Sequence, residues 1–533
     1  MSDQKEEELI NHEDKLPRIA EDSNQDVIDS KPLPAVQQVK NLIVEMQETN
    51  QTIEQLKKSN SEKAIMIIPL IRKMSSEEIV ETFDTQLCTV ITKHFQEFKF
   101  RKELRLLYSI KRIVKCAAEH KSLDVHQKFS QIFSDSGLRK KIGYNIVEQI
   151  PENYGEDDYI DDDWMMEDEL QQYALIYCYM ISISQADNNL LLHCGNILGR
   201  NINFLVYMIN ELCQEKQLKE DNKNQKGDDD DDDDLIFWII DLEEILNVLI
   251  YTMKVEQNRH EIIQNSSIFD EIEPLFHIGC QKNLNCPHCI AFPDSINTQP
   301  LHLLALEVLA QFEEDLDNPQ IFSISNDNII AHIAPSIIAF ALQSSFQFKY
   351  SMIIEVSTLP LVNLSSLPSQ KQFSVNLNLL HNLIINNFRL AESVASYPNL
   401  LPILIAFTFY NTNKIKEQST DDNENTLEVR NQCINIISEI CQYCGNQIKN
   451  KILIEMKFAK SITLAVCLGG GSKEQSNAVI QSALYCFESI IPLMIDDEIY
   501  ENQSHSLNSE IIEEIEEEGG LEEFDSLNLV RKI

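Results

Sequence analysis

Hydrophobic residues along most of this chain recur at intervals of three and four positions, the spacing of one face of an α-helix. Residues 101–117 show this clearly, with Leu104, Leu107, Ile110 and Ile113 on one face and basic residues on the other. Strict alternation of apolar and polar residues, which marks a half-buried strand, is hard to find. The pattern therefore predicts an all-α protein.

Apolar helical segments follow one another along the second half of the chain without a fixed period. The helix centres are unevenly spaced, at Leu249, Leu306, Leu380, Ile436 and Leu484. Many helices joined by polar loops are typical of an α-solenoid, in which each repeat stacks on its neighbours. Either insertions interrupt the repeats, or the repeat interpretation is wrong.

Polar breaks in the pattern divide the chain. Seven adjacent aspartates, Asp228–Asp234, repel one another and are predicted to lie in a solvated loop. Ser75 and Glu78 have the spacing of a capping box and predict the start of a helix. The predicted organisation is a disordered acidic segment at 1–35, N-terminal helical repeats at 36–150, and a solenoid at 151–533 with insertions at 151–169, 218–234 and 276–299.

Composition narrows the possible functions. Only 13 of 533 residues are glycine, which disfavours Gly-rich phosphate loops and doubly wound nucleotide folds. The 44 basic and 85 acidic residues give a formal charge of 44 − 85 = −41, which argues against direct binding to nucleic acid. No secretory signal or membrane-spanning segment is recognisable, and the 13 cysteines fit reduced thiols. We therefore expect neither nucleic acid nor a membrane as a partner, and a location in the cytoplasm and nucleus.

Motifs that carry catalysis are missing from the sequence. It contains no G-x-S-x-G, no H-E-x-x-H and no Walker loop. The three glycines at 469–471 lack the Lys-Ser that a phosphate loop requires. The sequence therefore predicts a protein that is not an enzyme.

One local cluster could bind a metal. Cys286 and Cys289 have the C-x2-C spacing with which two thiolates hold Zn²⁺, and Cys280 or His277 could complete a tetrahedron. The alternative is an ordinary cysteine-containing loop between two helices. Because no second C-x2-C pair lies at zinc-finger spacing, we expect no cofactor, with zinc at 277–289 as the less favoured alternative.

The C-terminal segment 479–533 ends in EIIEEIEEEGGLEEFDSLNLVRKI, in which a glycine pair separates an acidic helical pattern from a second helical pattern. This segment resembles the end of importin-alpha, the armadillo adaptor that carries cargo with nuclear localisation signals. In that family a long helix and a loop precede an acidic helix of the type IEExGGLEKIExLQ. The glycine pair ends one helix and lets the next pack back at once. The matching residues are Ile515, Glu516, Glu517, Gly519, Gly520, Leu521, Glu522, Phe524 and Leu527.

Segments farther upstream resemble other parts of the same family in the same order. They are residues 243–263, 303–320 and 377–404, which are similar to armadillo third helices and the loops that follow them. The resemblance extends over about 170–533. It implies an armadillo- or HEAT-like right-handed α-solenoid with acidic loop insertions.

The resemblance also implies a binding groove. In importin-alpha the third helices line a concave surface, where Asn holds the cargo backbone and Trp forms slots for Lys and Arg side chains. The resemblance then implies import of proteins with Lys/Arg-rich segments into the nucleus. The groove positions that it suggests here are Tyr177, Tyr179, Asn247, Tyr251, Asn378, Asn382 and Ser438.

Two departures from the family keep another interpretation open. The sequence has only two tryptophans, Trp164 and Trp238, so the tryptophan ladder is missing. Residues 1–40 lack the basic cluster that binds importin-beta, so that partner is left uncertain. The alternative is an armadillo or HEAT protein-interaction scaffold without a role in transport.

Overall fold

The structure is a computed structural model. It describes residues 35–47, 69–71, 73–94, 100–149, 164–184, 186–221, 230–265, 268–278, 280, 284, 286–290, 292–293, 296–313, 329–343, 368–408, 420–466, 477–497, 511–513 and 515–517. Residues 1–78 and 79–533 form two compact units. Every site discussed below lies in the second unit.

The described residues are helical almost throughout, and the only β contact among them is an isolated bridge between Ile278 and Ile290. A 3-10 helix spans Glu273–His277, and a π-helical turn spans Lys451–Glu455. The α-helices are α1 (Ala35–Gln47), α2 (Ser76–Thr82), α3 (Thr85–His94), α4 (Phe100–Glu119), α5 (Leu123–Asp135), α6 (Leu138–Gln149), α7 (Trp164–Ser182), α8 (Asn188–Asp221), α9 (Asp230–Met253), α10 (Glu256–Asn265), α11 (Ile268–Ile272), α12 (Gln299–Glu313), α13 (Ile329–Gln343), α14 (Gln370–Asn386), α15 (Phe388–Ser396), α16 (Leu400–Thr408), α17 (Thr420–Tyr443), α18 (Asn446–Asn450), α19 (Phe458–Val466) and α20 (Asn477–Asp497).

Seven of these helices form a continuous row in the second unit. We call them the helix row, and in chain order they are α4, α7, α9, α12, α14, α17 and α20. Each member packs on the next member of this order, although other helices lie between them in the sequence. Other helices cover it: α8 packs on α7 and α9, α13 on α14, and α19 on α20. Stacking of successive helical layers is the architecture of an α-solenoid, so the predicted all-α solenoid class is confirmed. The predicted right-handed twist stays a prediction.

The helix row also accounts for the irregular period of the sequence. The five predicted helix centres, at Leu249, Leu306, Leu380, Ile436 and Leu484, lie one each on α9, α12, α14, α17 and α20, and all five side chains are buried. The starts of successive row helices are unequally spaced, and each interval exceeds the period of about 40 to 47 residues that armadillo and HEAT repeats have. Extra segments between row helices lengthen the intervals without breaking the stacking.

Two predicted insertions are shorter than expected. Helix α7 begins at Trp164, inside the predicted loop 151–169, and buried Glu169 accepts a hydrogen bond from Tyr173 Oη at 3.1 Å. Helix α8 runs to Asp221 and α9 begins at Asp230, so most of the predicted insertion 218–234 is helical. Residues 151–163 and 222–229 lie outside the described residues.

Several other predictions can be placed. The capping box is confirmed, since Glu78 N donates to Ser75 Oγ and Ser75 N donates to a Glu78 carboxylate oxygen. The predicted insertion 276–299 contains the end of the 3-10 helix, at His277, and the bridge between Ile278 and Ile290. Residues 1–34 and the glycine pair at 519–520 lie outside the described residues.

Among the described residues, no single helix is both long and apolar enough to cross a bilayer. Residues 389–396 and 400–408 reach the required length and apolarity only together, across a bend of 92°.

Candidate peptide-binding face and cysteine–histidine cluster

A stripe of polar and aromatic side chains runs along one face of the helix row. We call this stripe the row face, and it joins helices through side-chain contacts and through charges that act on one another. Its members are Tyr108, Lys111, Lys115 and Glu119 of α4; Glu244, Asn247 and Tyr251 of α9; Glu307 of α12; Lys371, Ser374 and Asn378 of α14; Glu428, Gln432, Glu439 and Tyr443 of α17; and Tyr485 of α20.

At its α4–α9 end, the row face is closed by an ion pair. Lys111 Nζ lies 2.5 Å from a Glu244 carboxylate oxygen, and the two side chains are only 10% and 16% exposed. Burial alone raises the pKa of Glu244, but the charges of Lys111 and Lys115 and the Lys111 hydrogen bond bring it below its ordinary value. The pair reaches across α7, which packs between α4 and α9 in the row. The ion pair therefore links two helices that each pack on α7.

The middle of the row face carries alternating charges. Tyr251 lies close enough to Glu119, Lys115 and Glu307 for their charges to act on it, although burial is the main reason why its pKa is raised. Lys371 Nζ pairs with a Glu307 carboxylate oxygen at 2.9 Å. The face is therefore mixed in charge at this point, because lysines and glutamates lie together around Tyr251 and Glu307.

The α17–α20 end is different, because acidic and aromatic groups lie together there. Tyr443 and Tyr485 are 42% and 53% exposed. Burial, followed by the charges of Glu439 and Tyr485, raises the pKa of Tyr443. Burial also raises the pKa of Glu439. Glu428 lies earlier on α17, in the middle of the row face, where burial and the nearby Glu307 charge raise its pKa. At the α17–α20 end, two exposed rings beside the Glu439 carboxylate form a surface suited to a cationic side chain.

Two predicted groove tyrosines belong to the core instead. Tyr177 and Tyr179 are 1% and 0% exposed. Tyr177 Oη accepts a hydrogen bond from the backbone N–H of Asp187 at 3.1 Å, and Arg139 lies over its ring. The Tyr179 ring packs 6.2 Å from that of Tyr251, centroid to centroid. Residues 169–181 of α7 are all buried, so the prediction that this helix exposes groove residues is wrong.

Two further predicted groove residues are used in packing between row helices. Buried Asn382 donates a hydrogen bond from Nδ2 to the Ala310 carbonyl at 2.9 Å, which ties α14 to α12. Ser438 is buried beside Cys486 of α20. Neither side chain can hold a peptide in this structure, so these two predictions are wrong as well.

The remaining three predicted groove residues lie on the row face. Asn247, Tyr251 and Asn378 are all partly exposed. Asn247 Nδ2 donates to the Glu243 carbonyl of its own helix at 2.9 Å, and Lys254 Nζ lies 4.6 Å from the centre of the Tyr251 ring. Their placement agrees with a binding role.

A second site forms where the cysteine loop meets α13. One ligand atom from each of His277, Cys280, Cys286 and His332 lies within 4.8 Å of the others. Cys286 Sγ is 3.3 Å from His277 Nδ1, and Cys280 Sγ is 3.9 Å from the same nitrogen. Burial, together with nearby His332, His288 and His302, lowers the pKa of His277 to about 4, so its ring is neutral at pH 7.

The structure selects a different fourth residue from the one that the sequence suggested. Cys289 Sγ lies 4.0 Å from the Cys280 carbonyl oxygen, and Cys289 is close enough to the Cys280 thiol to help raise the pKa of that thiol, but it is outside the group of four whose ligand atoms converge. His332 takes its place, far beyond the cysteine loop in the sequence and on another helix. Sequence spacing could not reveal this residue, because the fold alone brings α13 to the loop.

No family model matches this sequence, and no curated protein matches it. Among solved structures, one from a study of the interaction between cadherin and beta-catenin has 10% identity and a TM-score of 0.43, with 85% of this chain and 78% of that chain covered. A mutant of Kap121p has 12% identity and a TM-score of 0.19, with 93% of this chain and 51% of that chain covered. This chain therefore spans about half the length of the Kap121p chain.

Proposed function

We propose that this chain is a helical-repeat protein-interaction scaffold, and that the α17–α20 end of its row face binds a Lys/Arg-rich segment of a partner protein. The observation that carries the proposal is the pair of exposed tyrosines, Tyr443 and Tyr485, beside the carboxylate of Glu439. Tyrosine rings attract cationic side chains through their faces, by about 0.5–1 kcal/mol at exposed sites.

The electrostatics of Glu439 support a cationic ligand. Folding places Glu439 where burial raises its pKa, so its charged form is less stable there than in water. A bound ammonium or guanidinium group compensates a buried carboxylate that would otherwise stay poorly solvated. Binding a basic side chain therefore relieves a cost that the free protein bears.

The finer proposal is an importin-alpha-like adaptor, in which the basic segments are nuclear localisation signals. It rests on the sequence resemblance and on the position of Asn247, Tyr251 and Asn378 along the row face. A scaffold without a role in transport is the second candidate. It is favoured by the hydrogen bond from Asn382 to the Ala310 carbonyl, since Asn382, which the importin-alpha resemblance suggests as a peptide-holding asparagine, is then engaged in packing.

Fluorescence anisotropy with a labelled Lys/Arg-rich peptide tests the proposal on the full chain. We expect saturable binding that weakens as salt rises, and no binding of a peptide in which every basic residue is replaced by Glu. The double variant Tyr443→Ala/Tyr485→Ala should lose about five- to thirtyfold in affinity, from two cation–π contacts.

Matched controls are exposed tyrosines on helices outside the row. Tyr144 and Tyr207 each donate a hydrogen bond to a glutamate four residues on, and Tyr144→Ala/Tyr207→Ala should leave the affinity unchanged. Equal loss in both double variants, or no salt-sensitive binding at all, rejects the basic-peptide site. Binding by the wild type without nuclear accumulation of a signal-bearing reporter favours the scaffold over the adaptor.

A further inference from the structure

The cysteine–histidine cluster is a second candidate site, separate from the α17–α20 end of the row face. Four potential ligands converge from three elements: the end of the 3-10 helix supplies His277, the following loop supplies Cys280 and Cys286, and α13 supplies His332. We propose that these four residues bind one structural zinc ion. The proposal is independent of peptide binding and goes beyond it.

The distances fit a tetrahedral site. Zinc bonds of about 2.3 Å to sulfur and about 2.1 Å to nitrogen place neighbouring sulfur and nitrogen ligands about 3.6 Å apart. The two sulfur–nitrogen distances to His277 Nδ1, 3.3 Å from Cys286 and 3.9 Å from Cys280, lie on either side of this value. The widest separation in the set is 4.8 Å, so closing it on a metal takes a side-chain adjustment of about 1 Å.

The chemistry of the ligands selects the metal. Two thiolates and two neutral imidazoles form the Cys2His2 set that zinc prefers, whereas Ca²⁺ and Mg²⁺ require oxygen ligands. All four coordination positions are supplied by the protein, which is the mark of a structural site rather than a catalytic one.

The backbone holds the loop in a shape that brings these ligands together. Ile290 N donates to the His277 carbonyl at 3.1 Å, and this bond belongs to the isolated bridge between Ile278 and Ile290. Cys289 N donates to the Cys286 carbonyl at 3.4 Å and closes a turn. The loop therefore returns to the point where it left the 3-10 helix, with Cys280 and Cys286 inside the closed segment.

Packing of rings fixes the fourth ligand. The His332 ring lies 5.1 Å from that of His277 and 5.4 Å from that of Phe276, centroid to centroid. Since His277 and His332 lie far apart in the sequence and on different elements, a shared metal joins the cysteine loop to α13, which in turn packs on row helix α14. Zinc thus stabilises the attachment of this loop to the helix row.

Metal analysis of the purified full chain, made without a histidine tag, tests the proposal. We expect about one zinc per chain after gel filtration, retained against a weak chelator and released by a strong one or by a thiol-modifying mercurial. Replacing zinc with Co²⁺ should produce sulfur-to-metal charge-transfer absorption and the intense visible bands of a tetrahedral site. These measurements use the wild type and do not depend on the folding of any variant.

Variants then identify the ligands. Cys286→Ser and His332→Asn should each lower zinc affinity by at least about tenfold, since even residues that only orient a ligand contribute ten- to a hundredfold. Matched controls are the exposed His288→Gln, whose ring is 5.5 Å from that of His277, and the partly exposed Cys116→Ser on α4. Both should keep a full complement of zinc, and so should Cys289→Ser.

Three outcomes would overturn the proposal. The first is a metal-free wild-type chain with all its thiols reactive. The second is a wild-type chain with two thiols lost to a Cys280–Cys286 disulfide and no metal. The third is loss of zinc in Cys289→Ser but not in His332→Asn, which restores the sequence-based ligand set and rejects the one proposed here.

Discussion

The two ends of the row face contain the same kinds of residue but use them differently. At the α4–α9 end, Glu244 meets Lys111 and the pair is nearly buried. At the α17–α20 end, Glu439 meets Tyr443 and Tyr485, and the tyrosines remain exposed. One carboxylate is stabilised by a cation of the same chain, and the other lies beside two aromatic rings.

The difference between the two carboxylates identifies the end of the row face at which a basic ligand can bind. A carboxylate whose pKa is lowered, such as Glu244, already has a cationic partner, and a ligand would have to displace it. A carboxylate whose pKa is raised, such as Glu439, gains from a new cation. Similar composition therefore produces a structural contact at one end of the row face and a candidate binding surface at the other.

The largest expected effect separates buried from exposed tyrosines. Tyr179→Ala leaves a large cavity in the core and should lower the free energy of unfolding by about 3–5 kcal/mol. Tyr443→Ala removes an exposed ring and should change it by less than about 0.5 kcal/mol. Chemical denaturation followed by circular dichroism measures both. A small effect of Tyr179→Ala would return this residue to the list of groove candidates.

The next effect concerns the ion pair. Glu244→Ala leaves the Lys111 ammonium nearly buried without its partner and should cost about 2–4 kcal/mol in the free energy of unfolding. Replacing both partners in Lys111→Met/Glu244→Leu should recover most of the loss, because no buried charge is left. The matched change at the other end, Glu439→Ala, removes a carboxylate whose pKa burial raises, and it should be nearly neutral. Equal costs at the two ends would abolish the contrast between them.

A smaller effect distinguishes packing from peptide binding within α14. Asn382→Ala removes the hydrogen bond to the Ala310 carbonyl and should cost about 1–2 kcal/mol in the free energy of unfolding. Asn378→Ala, on the row face of the same helix, should cost less than about 0.5 kcal/mol. If Asn382→Ala instead weakens peptide binding at unchanged stability, the family's role for this asparagine holds.

The smallest effect is a dependence on pH. The pKa of Glu439 is raised in the folded state, so the folded protein favours the protonated carboxyl, and this contribution is lost as pH rises from about 4.5 through the raised pKa. Glu439→Gln should therefore raise the melting temperature slightly at pH 7 and have little effect near pH 4. Glu244→Gln should do the opposite: the pKa of Glu244 is lowered, and its stabilising contribution is present at pH 7 and lost in acid. Parallel pH profiles for the two variants would contradict the assigned shifts.

Local patterns in the sequence predicted local structure well. Hydrophobic spacing located five of the row helices through their buried centres, and the spacing of Ser75 and Glu78 predicted a reciprocal cap that the structure confirms. The cysteine loop was also recognisable, because its ligands lie close together in sequence. These signals depend only on residues within a few turns of one another.

Such local patterns could not predict contacts between segments that are distant in the sequence. Tyr177 and Tyr179 have polar hydroxyl groups, as groove residues often do, yet residues 169–181 of α7 are all buried. Only the packing of neighbouring helices determines this burial. His332 joins the cysteine cluster from another helix, and Asn382 is occupied by a carbonyl 72 residues away. Each error has the same origin: a side chain's role was set by a partner that the local sequence does not contain.

The reach of Lys111 to Glu244 has a consequence for folding cooperativity. Row helices pack mainly on their nearest neighbours, and in such a stack one part can unfold while the rest persists. A contact between residues 133 positions apart, which passes over the intervening helix α7, makes α4 and α9 depend on each other directly. Hydrogen exchange in α4 and α9 should therefore occur through one shared opening event, and in Lys111→Met/Glu244→Leu the two helices should open separately.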